Sequence, residues 1–170
     1  MATHDADIAK SVRSLRQYGW GQKYRVDRAH GMNSRLDEVQ AVILRHGLRR
    51  LDALTARRRH IVQRYRDALG PTPVRMVSGS TAEFVAHLAV ARFVTRDRAR
   101  ETLHAAAIGT DIHYPIPDHR QPGLPTPGRT TDLTETEQAA SEILSVPCFP
   151  EMTDVEIERV CDALARAAVA

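Results

Sequence analysis

Apolar residues set the first element. Ile8, Val12 and Leu15 recur at i, i+4 and i+7, which predicts a helix over Asp5 to Gln17 capped by Asp5. Gly19 and Gly21 around Trp20 end it, and a polar loop is expected through Tyr24 and Asp27. A longer helical pattern follows: Leu36, Val39 and Ile43, then Leu48, Leu51 and Leu54, then Ile61, Val62, Tyr65 and Leu69. It predicts a central helix from Ser34 to Leu69, with its break at Gly47, because glycine costs about 1 kcal/mol against alanine inside a helix. Gly70-Pro71-Thr72-Pro73 stops it.

Beyond that stop, the pattern changes to short units. Gly79 to Ala82 reads as loop, and Phe84 to Val94, apolar on both sides, reads as a central strand. Thr95 to Ala107 predicts a helix, and Gly109 to Tyr114 a second strand closed by Pro115 and Pro117. Asp118 to Arg129 is proline-rich and expected to be irregular. Thr134-Glu-Thr-Glu137 reads as a capping box opening a helix to Leu144, and Ser145 to Phe149 as a short extended piece. Thr153-Asp-Val-Glu156 reads as a second box, for a terminal helix to Ala168. The expected class is α/β: a long central helix and a small sheet with helices packed on one face.

Composition adds limits. Hydrophobic content of 42% supports a globular core, and no run reaches the ~20 apolar residues a membrane span needs. A soluble, cytoplasmic chain with reduced Cys148 and Cys161 is expected, with no membrane partner. The net charge of +3 comes almost entirely from arginine. Arg45, Arg49, Arg50, Arg57, Arg58, Arg59, Arg64 and Arg66 line one face of the central helix. Such a face could follow a phosphate backbone. Solvation, or pairing with acidic residues of a neighbouring helix, is the commoner use and the expected one, so no nucleic-acid partner is predicted.

Chemistry has few places to sit. A helix start at Asn33-Ser34-Arg35 would combine free N–H groups, an amide and a guanidinium, which suits an anion. The same residues also make an ordinary N-cap, the plainer reading of the spacing. His113 and Tyr114, in Asp111-Ile-His-Tyr-Pro-Ile-Pro-Asp-His119, lie where a strand end enters a proline-stiffened loop. Two prolines between His113 and His119 argue against a helical metal motif, and no metal site is expected. No G-x-S-x-G, glycine-rich phosphate loop or Cys-His pair occurs.

Several of these stretches, in this order, resemble the DegT/StrS family of pyridoxal-phosphate-dependent nucleotide-sugar aminotransferases. They are Arg13-Ser-Leu-Arg-Gln-Tyr-Gly19-Trp, His30-Gly-Met-Asn-Ser-Arg-Leu-Asp-Glu-Val-Gln-Ala41, Ala86-His-Leu88, Asp111 to His119, and Ile143-Leu-Ser-Val-Pro-Cys-Phe-Pro-Glu-Met-Thr153. The resemblance implies the C-terminal part of the aspartate-aminotransferase-type fold (fold type I). It divides the chain into a remnant of the cofactor domain with its connecting loop (1–33), the central helix (34–69) and a small C-terminal domain (70–170).

It also implies site roles. Asn33 matches the asparagine that reaches the phosphate of pyridoxal 5'-phosphate in a partner subunit, and Arg35 matches its neighbour as a support. His113 and Tyr114 match a loop near the sugar. The family's Schiff-base lysine has no counterpart: Lys10 falls in the following helix and Lys23 in the loop after it, so no catalytic residue is expected here. The chain is expected to be a truncated aminotransferase, inactive alone. Its parent would move an amino group, typically from glutamate, onto a keto-deoxysugar nucleotide. The alternative is a non-catalytic subunit that completes the site of a full-length aminotransferase. Expected partners are a second copy or that full-length enzyme.

Overall fold

A computed structural model describes residues 3–77, 79, 81, 83–123 and 132–169. The chain divides into two compact units, Met1–Arg50 and Leu51–Ala170.

In the first unit, α1 (Ala6–Leu15) opens on Asp5, whose carboxylate accepts from the Asp7 and Ile8 amides as the sequence predicts. The expected polar loop is instead a small hairpin of β1 (Trp20–Gln22) and β2 (Arg25–Val26). Tyr18, Trp20 and Tyr24 stack along it, with ring centroids 5.2 and 5.3 Å apart. The last element of the unit is α2 (Glu38–Leu48).

The predicted central helix therefore differs at two points. It starts at Glu38 behind an Asp37 cap, because Ser34 belongs to a segment paired with the end of α1. Its break falls at Arg49-Arg50, just past Gly47, whose carbonyl accepts the Arg50 amide at 3.0 Å. The helix then resumes as α3 (Leu51–Leu69).

The second unit is built on a three-stranded antiparallel sheet, β3 (Arg75–Met76), β4 (Ala89–Arg92) and β5 (Ile143–Val146), in the order β3-β4-β5. In register, Ala89 faces Val146 and Ala91 faces Leu144. These four side chains share one face, following the two-residue period of a strand, and pack with Ile61, Val62, Tyr65, Leu103, Ile157 and Leu164. The core thus lies between one face of the sheet and α3, α4 (Arg96–Ala105) and α6 (Asp154–Ala168).

Phe84–Val94 supplies the central strand, but only over Ala89–Arg92, and Val90 and Arg92 turn away from the core. β3 was not foreseen. The second expected strand, Gly109–Tyr114, reduces to a single bridge between Asp111 and Ser145, since the prolines that follow cannot donate to a ladder. A 3₁₀ turn at Asp118–Arg120 follows, and residues 124–129 of the predicted irregular stretch lie outside the described residues, as do 80 and 82 of the Gly79 loop.

α5 (Thr134–Glu142) begins without its expected box. Asp132 accepts from both the amide and the hydroxyl of Thr134, and Glu137 turns elsewhere. At Thr153 the box forms in full.

The arginines of α3 are engaged within the second unit. Arg57 donates to the Met152 carbonyl and to Asp154, Arg64 pairs with Glu158, and Arg58 reaches the Cys148 carbonyl. Of the predicted face, Arg57 and Arg64 pair with acidic residues of α6, Arg58, Arg59 and Arg66 bond backbone carbonyls, and Arg45, Arg49 and Arg50 are exposed. Among the described residues no helix is long and apolar enough to cross a membrane.

Candidate functional site

The Gly31-Met-Asn-Ser-Arg35 segment is positioned by backbone bonds and not by a helix. Met32 N–H donates to the Leu15 carbonyl at 2.8 Å, Tyr18 N–H to Met32 at 3.1 Å, and Ser34 N–H to Arg16 at 2.9 Å. Gln17 and Asn33 thereby form an antiparallel bridge. Because Ser34's amide is taken and the helix begins four residues later, neither the anion site that a helix start would have offered nor the N-cap expected there is formed. Asn33 is also no cap.

What the bridge does instead is fix the Asn33 backbone while leaving its side chain exposed, with no hydrogen bond to any described residue. Arg35 is exposed too, and the buried Arg16 Nε has no partner among the described residues. The exposed Asn33 amide and Arg35 guanidinium, two residues apart on this stretch, are donors of the kind a phosphate ester takes. They offer nothing for the aldehyde end of pyridoxal phosphate. Lys10 lies on α1 and Lys23 in the hairpin turn, where its ammonium sits over the Tyr24 ring at 5.1 Å.

In the second unit, His113 and Tyr114 lie directly after the Asp111–Ser145 bridge. His113 Nδ1 is 3.0 Å from Ser145 Oγ, and Nε2 is 3.7 Å from an Asp111 carboxylate oxygen. Tyr114 stacks edge-on to the imidazole at 5.4 Å and is 70% exposed, so its hydroxyl is open to solvent.

Further along the same loop, His119 Nε2 and the Arg120 guanidinium both meet one oxygen of Glu137, at 3.0 and 2.7 Å. The hydrogen bond from His119, then that from Arg120, holds the Glu137 carboxyl below its usual range. This clamp ties the loop to α5 beside a cavity of about 440 Å³ lined in part by Arg96, Ile112, Pro117 and Glu137.

The sequence reading singled out neither Gln17, Ser145 nor Arg16. The alternation Asp111-x-His113 was the one available sign that two polar groups share a strand face. Their partner on β5 needed the pairing.

The DegT/DnrJ/EryC1/StrS aminotransferase family profile matches residues 1–165, and the chain belongs to that family. It is 38% identical to a dTDP-3-amino-3,4,6-trideoxy-alpha-D-glucose transaminase of Micromonospora megalomicea, over 96% of this chain and 46% of that protein. It is 37% identical to a dTDP-3-amino-3,6-dideoxy-alpha-D-galactopyranose transaminase of Aneurinibacillus thermoaerophilus, over 98% of this chain and 46% of that protein. The crystal structure of S. venezuelae DesV superposes with a TM-score of 0.86 at 35% identity, covering 99% of this chain and 46% of DesV. The chain thus spans about half the length of the curated relatives it matches. Its fold is that of the corresponding part of a sugar aminotransferase.

Proposed function

We propose that this chain is the C-terminal portion of a pyridoxal-phosphate-dependent nucleotide-sugar aminotransferase. The parent reaction transfers an amino group, typically from glutamate, to a keto-deoxysugar nucleotide. When bound, the cofactor supplies the electron sink for that transfer. Asn33 and Arg35 would hold its phosphate from a neighbouring subunit, with His113 and Tyr114 orienting the sugar.

The observation that carries this reading is the state of Asn33: its backbone is pinned by the bridge to Gln17, and its amide is left unengaged. Lys10 and Lys23, the only lysines in the sequence, match no Schiff-base position of the family, so turnover by this chain alone is not expected.

Purified chain should show no transamination with glutamate and a dTDP-keto sugar. It should gain pyridoxal phosphate affinity only when mixed with a full-length relative, and Asn33→Ala should lower that gain. Borohydride-stable attachment of the cofactor to Lys10 or Lys23, together with turnover by the chain alone, would overturn the reading.

The second reading, a non-catalytic subunit completing a full-length enzyme, is favoured by α2. At 100° per residue Val39, Val42 and Ile43 lie on one side of the helix and Leu44 and Leu48 on the other, and all five are more than half exposed. A helix apolar on two sides calls for covering on two sides. Stable co-purification with the full-length relative supports this reading, and a monodisperse chain indifferent to it counts against it.

A further inference from the structure

Ser145 and Asp111 exchange both backbone bonds, at 3.1 and 2.7 Å, on the edge of β5 that β4 leaves free. Residues opposite one another in such a bridge present their side chains to the same face, and the residue two along an extended chain returns to it. Asp111, His113 and Ser145 therefore gather on the sheet face away from the core, while Ile112 packs against the core. Ser145 is 6% exposed, and His113 Nδ1, at 3.0 Å, is the hydrogen-bond partner of its hydroxyl. One Asp111 oxygen accepts the Ile112 amide at 2.8 Å, which holds the other 3.7 Å from His113 Nε2.

We infer that Ser145 is a positioning residue for His113: its hydroxyl donates to Nδ1 and keeps the neutral ring protonated at Nε2, turned toward Asp111 and solvent. Two constraints agree on this tautomer. The carboxylate beside Nε2 favours a proton there, and the buried hydroxyl has Nδ1 as its acceptor. Ser145 is buried and its hydroxyl is engaged with Nδ1, so the row orients the imidazole and does not form a nucleophile. Nε2–H is then ready to donate to a sugar or phosphate oxygen. That last step rests on the nucleotide-sugar reading above, whereas the orientation of the ring does not.

The test is long-range imidazole ¹H–¹⁵N correlation spectroscopy on the whole chain, as wild type, Ser145→Ala and Ser145→Thr, with dTDP-glucose as the added probe. The wild type should carry its proton on Nε2, with Nδ1 at the shift of a hydrogen-bonded acceptor. Ser145→Ala should move Nδ1 to the free-acceptor position, and Ser145→Thr should restore it. dTDP-glucose should shift the Nε2 signal and bind about fivefold more weakly to the alanine variant, the size expected for one mispositioned hydrogen bond. A proton on Nδ1 in the wild type, or an unmoved Nδ1 signal in Ser145→Ala, overturns the assignment. Should the alanine variant not fold, the wild-type spectrum alone decides. If the spectra behave as expected and dTDP-glucose leaves Nε2 unmoved, the positioning role stands and the sugar reading falls.

Discussion

Arg92 and Glu142 form an ion pair on the outer face of the sheet, with only 16% and 12% of their side chains exposed. The guanidinium of β4 donates to the carboxylate at the last turn of α5, one residue before β5 begins, and Gln138 donates to the other carboxylate oxygen at 2.9 Å. The hydrogen bond from Arg92, followed by that from Gln138, holds the Glu142 carboxyl below its usual range. Its contribution to stability is therefore complete above the unfolded-state value of about 4.3 and is lost as pH falls through the lower folded value. Glu142→Gln should be less stable than wild type at neutral pH, and the gap should close in acid below about pH 4. Urea titrations at the two pH values measure it; a gap that stays constant would remove the pair from the acid response.

The Tyr65 hydroxyl donates to the Pro147 carbonyl at 2.7 Å from a side chain with no exposed surface. Tyr65→Phe keeps the volume and leaves that carbonyl unpaired, at a cost of about 1 kcal/mol. Burial first, then the nearby Cys148 and Cys161 thiols, push the phenol far above its ordinary pKa. The sign is opposite to that of Glu142: this group's contribution is complete below the unfolded value of about 10 and fades as pH rises beyond it. Tyrosinate absorbance, taken as wild type minus Tyr65→Phe, should appear only when alkali unfolds the chain. Ionisation of Tyr65 in the folded state would contradict it.

Two capping boxes with the same spelling separate what is legible in this sequence from what is not. Thr153 and Glu156 satisfy each other's backbone amides, so Thr153→Ala should cost about 1 kcal/mol. Thr134 is itself the first helical residue. Asp132 accepts at its amide and Glu137 is taken by His119 and Arg120, so Asp132→Ala should destabilise more than Thr134→Ala. Thermal melts of the three variants rank them; equal losses at Asp132 and Thr134 would mean the box forms after all.

The lesson extends to the rest of the fold. Helical periodicity located α1 and α3, and the Thr153 box located α6, because both kinds of signal are local. β3 and the Asp111–Ser145 bridge depended on which residues pair at long range, which spacing does not encode, whereas the hairpin closes locally at Lys23-Tyr24 without the glycine that usually marks such a turn. At the site, Asn33 and His113 stood out by resemblance, while Gln17 and Ser145, which fix them, had no local signal.

Gly31 and Asn33 belong to one motif but should behave differently. A β-carbon at Gly31 would lie 2.1 Å from the Tyr18 carbonyl carbon and the Gly19 nitrogen, both backbone atoms that cannot rotate away. Gly31→Ala must therefore push the segment off the end of α1 and break the bonds at Leu15, Arg16 and Tyr18. Trp20, the single tryptophan, packs between Tyr18 and Tyr24 and should report the change as altered emission. Asn33→Ala deletes only an exposed side chain from a backbone bridge, so its emission and melting should match wild type within about 0.5 kcal/mol. Its effect should be confined to cofactor affinity in a mixed assembly with a full-length relative, by about tenfold for one lost charge-assisted bond. An Asn33→Ala chain that unfolds like Gly31→Ala would show that the asparagine serves the fold, and the phosphate role would then lose its main support.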